Sequence, residues 1–256
     1  MRVLVACEYS GIVRDAFTRL GHQAMSCDLL ATDAPGLHYQ GNVLDVLDGW
    51  MPVSFTGECD PDGDGWCQVT DADPDTCECI GPTQDGIEYL EKDGILFGRP
   101  EDHPQWDLMV AHPPCTYLSV SGMHWTKRGL RDPKLTEDAM AFVQALLDAP
   151  IKHIALENPV SIISTRVRKP DQIIQPWWFG HDASKKTCLW LKNLPPLEPT
   201  DMLPGDNKTR RANQTPSGQN KLGPSADRWK IRSATYPNIA QAMADQWSKF
   251  MEEGNG

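Results

Sequence analysis

Twice in this chain an apolar run stops abruptly at proline. Leu108 to Ala111 is followed by His112-Pro113-Pro114-Cys115, and the run through Leu156 by Glu157-Asn158-Pro159. Each run reads as a short buried strand, and each proline ends it because proline cannot donate a ladder hydrogen bond. In an open parallel α/β sheet, the carboxyl ends of the strands are where ligands and chemistry sit. Cys115, Glu157 and Asn158 are therefore expected on one rim. A free cysteine is often just a small buried hydrophobe, but two prolines in front of Cys115 describe a rigid exposed turn instead.

Pro113-Pro114-Cys115 together with Glu157-Asn158 resembles the Pro-Pro-Cys and Glu-Asn pair of the DNA cytosine-C5 methyltransferases, in particular small phage-type members. The likeness covers roughly residues 1–50 and 105–192, with a fainter echo at 231–250. It implies an α/β fold, a doubly wound Rossmann-like sheet of the kind that binds S-adenosylmethionine (SAM). The catalytic domain would comprise 1–50 and 105–192. An acidic, Cys-containing insertion (51–104), a basic loop region (193–230) and a C-terminal helix (231–256) complete the division.

The N-terminal unit supports this division on its own residues. Arg2 to Ala6 reads as a strand, Ser10-Gly11 opens a helix to about Leu20 that Gly21 closes, and Gln23 to Cys27 forms a second strand ending at Asp28. Strand, helix, strand and acid is the opening of a nucleotide-binding sheet. The turn is expected to leave N–H groups free at the helix start, and Asp28 to accept from ribose hydroxyls. The resemblance implies SAM contacts from Tyr9, Ser10, Gly11, Asp28 and Pro113, with Asn42 of Gly41-Asn42 beside the adenine. Glu8 stands where the family turn usually carries glycine, which leaves room for a different one-carbon donor.

A net charge of −11 looks wrong for an enzyme acting on nucleic acid until it is located. Residues 51–105 hold 14 acids and two bases, leaving 21 acids against 22 bases elsewhere. The acidity belongs to the insertion. Cys59, Cys67, Cys77 and Cys79 lie inside it and suggest a structural zinc, although paired Cys-x2-4-Cys knuckles are lacking. Asp60 to Asp71 also reads as an EF-hand-like calcium loop without flanking helices, and a plain acidic loop competes with both. The segment is read as loop-rich.

Within 208–232, seven bases face one acid, Asp227, a strip suited to phosphates or simply to solvent. Family members carry a large target-recognition domain at this place. So short a substitute implies that phosphate contacts dominate. Residues 116–131 read as a polar, glycine-bearing loop able to close over substrate, with Ser119 a contact. Lys134 to Leu147 is an amphipathic helix, and Gln172–Gln175 and Thr187–Leu191 are strands. The resemblance implies a donor to the cytosine O2, for which Arg166, Arg168, Lys185 and Lys186 all qualify. Trp177-Trp178-Phe179 reads as core packing before base stacking. Ile239 to Phe250 is an amphipathic helix expected to pack on the first helix.

No run approaches the roughly 18 apolar residues of a membrane helix, so a soluble cytoplasmic protein without membrane contact is expected. The chemistry implied by the resemblance is attack of the Cys115 thiolate on C6 of cytosine while protonated Glu157 donates to N3, with Asn158 orienting Glu157 or the base. DNA is then the partner, and the target base must leave the stack. An amino-methyltransferase is disfavoured, because His112 and Cys115 replace the residues it needs around the prolines. Two rivals stand. One keeps the Cys/Glu chemistry with a modified donor or a free pyrimidine nucleotide, and the other is an inactive DNA-binding or decoy protein.

Overall fold

The structure is a computed structural model, and it describes residues 1–52, 87–92, 95–101 and 105–254. Its centre is a seven-stranded sheet. Strands β1 (Arg2–Ala6), β2 (Gln23–Asp28), β3 (His38–Gln40), β7 (Leu108–Ala111) and β8 (His153–Pro159) run parallel, and β9 (Gln172–Ile174) and β10 (Thr187–Lys192) complete the order β3-β2-β1-β7-β8-β10-β9. β10 is antiparallel to both neighbours. The first five strands follow the doubly wound order, in which the chain reverses direction across the sheet between β1 and β7. That reversal opens a crevice at the carboxyl ends of these two strands.

The strands are apolar throughout because both faces are covered, and successive side chains alternate between them. Val3, Val5, Leu108, Val110 and Leu189 point to one face, under helices α1 (Ile12–Arg19) and α6 (Pro237–Glu253). Leu4, Ala6, Met109, Ala111, Ile154 and Trp190 point to the other, under α3 (Lys134–Leu147). The C-terminal helix does pack on the first. Arg19 donates to Gln241 at 3.1 Å, and His22 and Ser248 share a hydrogen bond of 2.7 Å. Gly21, at φ 80°, ends α1 as expected.

Two expectations need correction. Residues 116–131 are not an open loop. A 3-10 turn (Cys115–Tyr117) leads into α2 (Val120–Lys127), whose first turn is capped by the Ser119 hydroxyl accepting from the Gly122 N–H at 3.2 Å. The edges of the acidic insertion are also ordered: β4 (Met51–Pro52), β5 (Ile87–Lys92) and β6 (Ile95–Pro100) form a second, antiparallel sheet. Phe97 anchors it to the main body, with its ring edge-on to Tyr39 at 5.4 Å. Cys59, Cys67, Cys77, Cys79 and the Asp60–Asp71 loop lie outside the described residues.

Trp177 and Phe179 are buried as core, and Trp178 is half-buried. Short helix α4 (Ile163–Arg166) follows β8, and short helix α5 (Arg228–Ser233) precedes α6. Among the described residues no helix is long and apolar enough to cross a membrane.

Candidate active site at the switch point

A cleft of about 100 Å³ sits where the strand order reverses, and four strands build it from the same edge. Cys7 to Ser10 follow β1, His112 to Cys115 follow β7, Glu157 to Pro159 end β8, and Lys185 precedes the reversed β10. Arg232 to Thr235, between α5 and α6, close the remaining side. Cys115, Glu157 and Asn158 therefore share one wall system with Tyr9, Ser10, Pro113 and Lys185.

The turn after β1 works differently from a glycine-rich phosphate cradle. Cys7 takes a left-handed φ of 59°, a strained conformation for a non-glycine residue, and reverses the chain into Glu8. The buried Glu8 carboxylate then caps α1, accepting from the N–H groups of Val13 at 2.7 Å and Arg14 at 3.1 Å and from the Ser10 hydroxyl at 3.1 Å. Donors expected to be free at this helix start are thus taken by the chain's own acid, which also complements the helix dipole. Glu8→Ala is expected to lower stability by about 1–3 kcal/mol, since two N–H groups lose a charged acceptor. Urea unfolding beside Glu8→Gln measures it, and an unchanged midpoint would discard the capping account.

Arg14 is a residue that sequence reasoning missed. It is fully buried and binds the Ser26 hydroxyl at 3.1 Å and the carbonyls of Ala34 at 3.3 Å and Pro35 at 2.7 Å, pinning the segment after β2. Gly11 and Gly36 make room for it: a Cβ on either would meet its guanidinium at 2.5 or 2.8 Å.

At the other wall, His112 Nδ1 lies 3.2 Å from Glu157 Oε2, and Asn158 Nδ2 donates to the Pro113 carbonyl at 2.8 Å. The second bond ties the end of β8 to the Pro-Pro turn, fixing where Cys115 emerges. His112 Nε2 and Asn158 Oδ1 are buried without a hydrogen-bond partner. Such atoms are costly unless a ligand or water satisfies them. His112, important in sequence only as an exclusion, is the direct partner of Glu157; nothing in its spacing marked it as such.

The charges in this wall oppose one another. Burial pushes the Glu157 carboxyl up, but the His112 hydrogen bond, the Lys185 charge and Thr187 together outweigh it, so Glu157 is held below the usual carboxylate range. It is an anion at neutral pH. Cys115 is exposed at the rim, yet desolvation of its sulfur and the Glu157 charge hold the thiol above its ordinary value against the opposing pull of Lys185 and Arg232. The resting pair is a thiol beside a carboxylate, the reverse of the thiolate and protonated acid that the resemblance implies. The His112 hydrogen bond and the Lys185 charge favour the Glu157 anion, and that anion together with desolvation favours the neutral thiol. Glu157→Gln removes the repelling charge, so alkylation of Cys115 by iodoacetamide near neutral pH is expected to quicken severalfold. Peptide mass spectrometry at Cys115 gives the rate, and no acceleration would mean the two groups are not coupled.

The remaining candidates divide by direction. Lys185 and Lys186 are adjacent at the start of β10, where alternation sends Lys185 into the cleft and Lys186 into a separate groove with Ile173, Gln175, Trp178 and Asn207. Arg168 lies at the opposite end of the sheet, bonded to Asp171 at 2.5 Å and to the Leu191 carbonyl at 2.8 Å. Arg166 is paired with Glu137 at 2.7 Å on the outer face. Ser119 serves as the α2 cap. Lys185 is thus the one cation of these four that the fold brings to Cys115.

Gly11, Asp28 and Asn42 stand outside the cleft wall. Asp28, at the end of β2, accepts from the Leu30 N–H at 2.9 Å, and its half-buried carboxyl is raised by desolvation against that bond. Asn42 accepts from the Leu44 N–H at 3.1 Å. Tyr9 joins the β1 turn to α5: its hydroxyl donates to the Lys230 carbonyl at 3.0 Å and lies 3.2 Å from the Ser233 hydroxyl. The chain matches no family model and no curated protein, so its chemistry is read from the cleft itself.

Proposed function

We propose that this protein transfers a methyl group from SAM to C5 of cytosine in DNA, through a covalent adduct between Cys115 and C6. The observation that carries the reading is the meeting of Cys115 with Glu157, His112 and Lys185 in a cleft at the switch point. Cytosine C5 is not nucleophilic, so the base must be activated by temporary addition.

The thiol and carboxylate account for the protons. As Cys115 Sγ bonds to C6, its proton passes to the Glu157 carboxylate, and the Glu157 so protonated gives it to N3. One proton leaves sulfur and one reaches nitrogen, so the addition develops little net charge. His112 holds Glu157 through Nδ1 in the orientation from which it meets the base. Lys185 faces the Glu157 carboxylate as its counter-charge. Loss of the C5 hydrogen as a proton to solvent then breaks the S–C6 bond and restores the double bond, and the N3 proton returns through Glu157 to the Cys115 sulfur.

SAM would be held along the carboxyl ends of β1 and β2, beside the cleft rather than in it. Asp28 would accept from ribose hydroxyls and Asn42 would meet the adenine, while Glu8, already the cap of α1, would offer the ammonium only the acceptor capacity its carboxylate has left. When bound, SAM supplies the methyl group. The test is incubation of the protein with SAM and cytosine-bearing DNA or dCMP, followed by mass spectrometry of the nucleosides. 5-Methylcytosine in DNA is the expected product. Modified dCMP alone would move the substrate to free nucleotides, and no product from either would sink the reading.

A further inference from the structure

Two short helices adjoin the cleft walls through their ends, α2 by way of the Cys115 turn and α5 by way of Arg232, and both present bases and an exposed indole. On one side the 3-10 turn of Cys115 runs into α2, packed so closely that a Cβ on Gly122 would meet the Thr116 carbonyl at 2.1 Å. Arg131 returns to the same carbonyl at 2.9 Å and lies over the Tyr117 ring. On the other side α5 leads into the Arg232 to Thr235 wall and is fastened to Tyr9. There is no acid from Cys115 to Arg131 or from Arg228 to Thr235, but Asp227 stands at the start of α5 and Asp33 pairs with its Lys230 at 3.5 Å.

Some cations outside these two stretches are held by acids, and others, such as Lys134, Lys208 and Arg210, form no ion pair among the described residues. Arg166, Arg168 and Arg211 each face a carboxylate, and Arg211 is buried against Trp177, which takes it out of the surface strip. Lys127, Arg128, Arg131, Arg228 and Arg232 form no ion pair among the described residues. Beside them Trp125 is 46% exposed and Trp229 52% exposed, with Ile231 at 57% on the same short helix. Trp229 meets the Tyr9 ring at 5.9 Å and has Lys230 Nζ over its own ring at 5.9 Å, so only its outer side is open. Cations without a counter-charge beside exposed indoles suit a polyanion whose bases are unstacked, because phosphates meet the charges and each base offers a π-face to an indole. A duplex hides those faces.

We propose that a single polynucleotide strand crosses the mouth of the Cys115 cleft between α2 and α5, with bases flanking the target stacked on Trp125 and Trp229. This rests on the reading of the cleft as a pocket for a base from a longer strand, and it makes the substrate single-stranded or locally opened DNA. A target already out of the helix needs no large domain to extract it, which fits the short 193–230 region.

The test is fluorescence anisotropy of a labelled, cytosine-bearing DNA strand, its duplex and labelled dCMP, on full-length protein without cofactor. The single strand is expected to bind at least tenfold more tightly than the duplex. Trp125→Ala with Trp229→Ala should cost tenfold or more, and Trp125→Phe with Trp229→Phe should restore much of it. Arg128→Gln with Arg232→Gln should flatten the salt dependence. A duplex bound as tightly as the strand, an alanine pair that binds like wild type while melting normally, or phenylalanine variants that fail to recover would each overturn the proposal. Strand binding in this assay, beside no modified cytosine when the same strand is incubated with SAM, would sink the methyl-transfer reading and leave the track standing.

Discussion

Cys115→Ala is expected to abolish cytosine modification, with a loss on the order of 10³-fold or more, while leaving the fold intact. The size follows from the mechanism. The other cysteines near the site cannot take its place in adding to C6: Cys7, on the cleft wall, is driven strongly toward the neutral thiol by burial and by Asp28, and Cys188, off the wall in the core, is pushed up to about 11, also chiefly by burial. Groups that act as one unit fail together, so the remaining His112, Glu157 and Lys185 should retain little. Stability should move by no more than about 0.5 kcal/mol, because the Cys115 side chain is exposed at the rim. Nucleoside mass spectrometry with a parallel thermal melt reads both quantities. Product at the wild-type rate with a normal melt would remove Cys115 from the chemistry.

Trp247→Ala is expected to be the most damaging change outside the cleft, costing about 3–5 kcal/mol. The indole is fully buried in α6, in the cluster that joins Val13 and Phe17 of α1 to Leu189 of β10. Its Nε1 also donates to the Pro195 carbonyl at 3.1 Å, holding the start of the 193–230 region. Removal leaves a cavity and an unpaired carbonyl. Against a total of roughly 5–15 kcal/mol, that is a large share, and the melting temperature should fall by on the order of 10 °C. Phe250→Ala, on the same helix but 40% exposed, should change it little. Equal melts for the two variants would mean that α6 does not hold the fold as described.

The rim was legible in the residues because its signals are local. A proline that stops a ladder, an apolar run and a glycine closing a helix each act within a few residues, so β1, β7, β8, α1, α3 and α6 emerge where the pattern puts them. Serine capping misled at α2. Ser119 was read as a substrate contact in a loop, whereas its hydroxyl satisfies the first turn of a helix whose polar composition hides its period. The edges of the insertion were hidden likewise, since short paired strands gain their stability from partners distant in sequence.

Partnerships across the sheet belonged to the tertiary structure alone. His112 and Glu157 are 45 residues apart and meet at 3.2 Å only because β7 and β8 lie side by side in parallel register. Lys185 prevailed over Arg166, Arg168 and Lys186 through strand direction and alternation, which no charge count contains. Glu8 was conspicuous in sequence, but its role as the α1 cap depended on a left-handed Cys7 that brings it back beneath the helix. By itself the sequence determined which residues end each strand, and so which chemistry could reach the rim, because chain-breaking acts locally. The fold decided which of them face one another and in what state of charge, because proximity, desolvation and Coulomb interaction depend on distances that only packing sets.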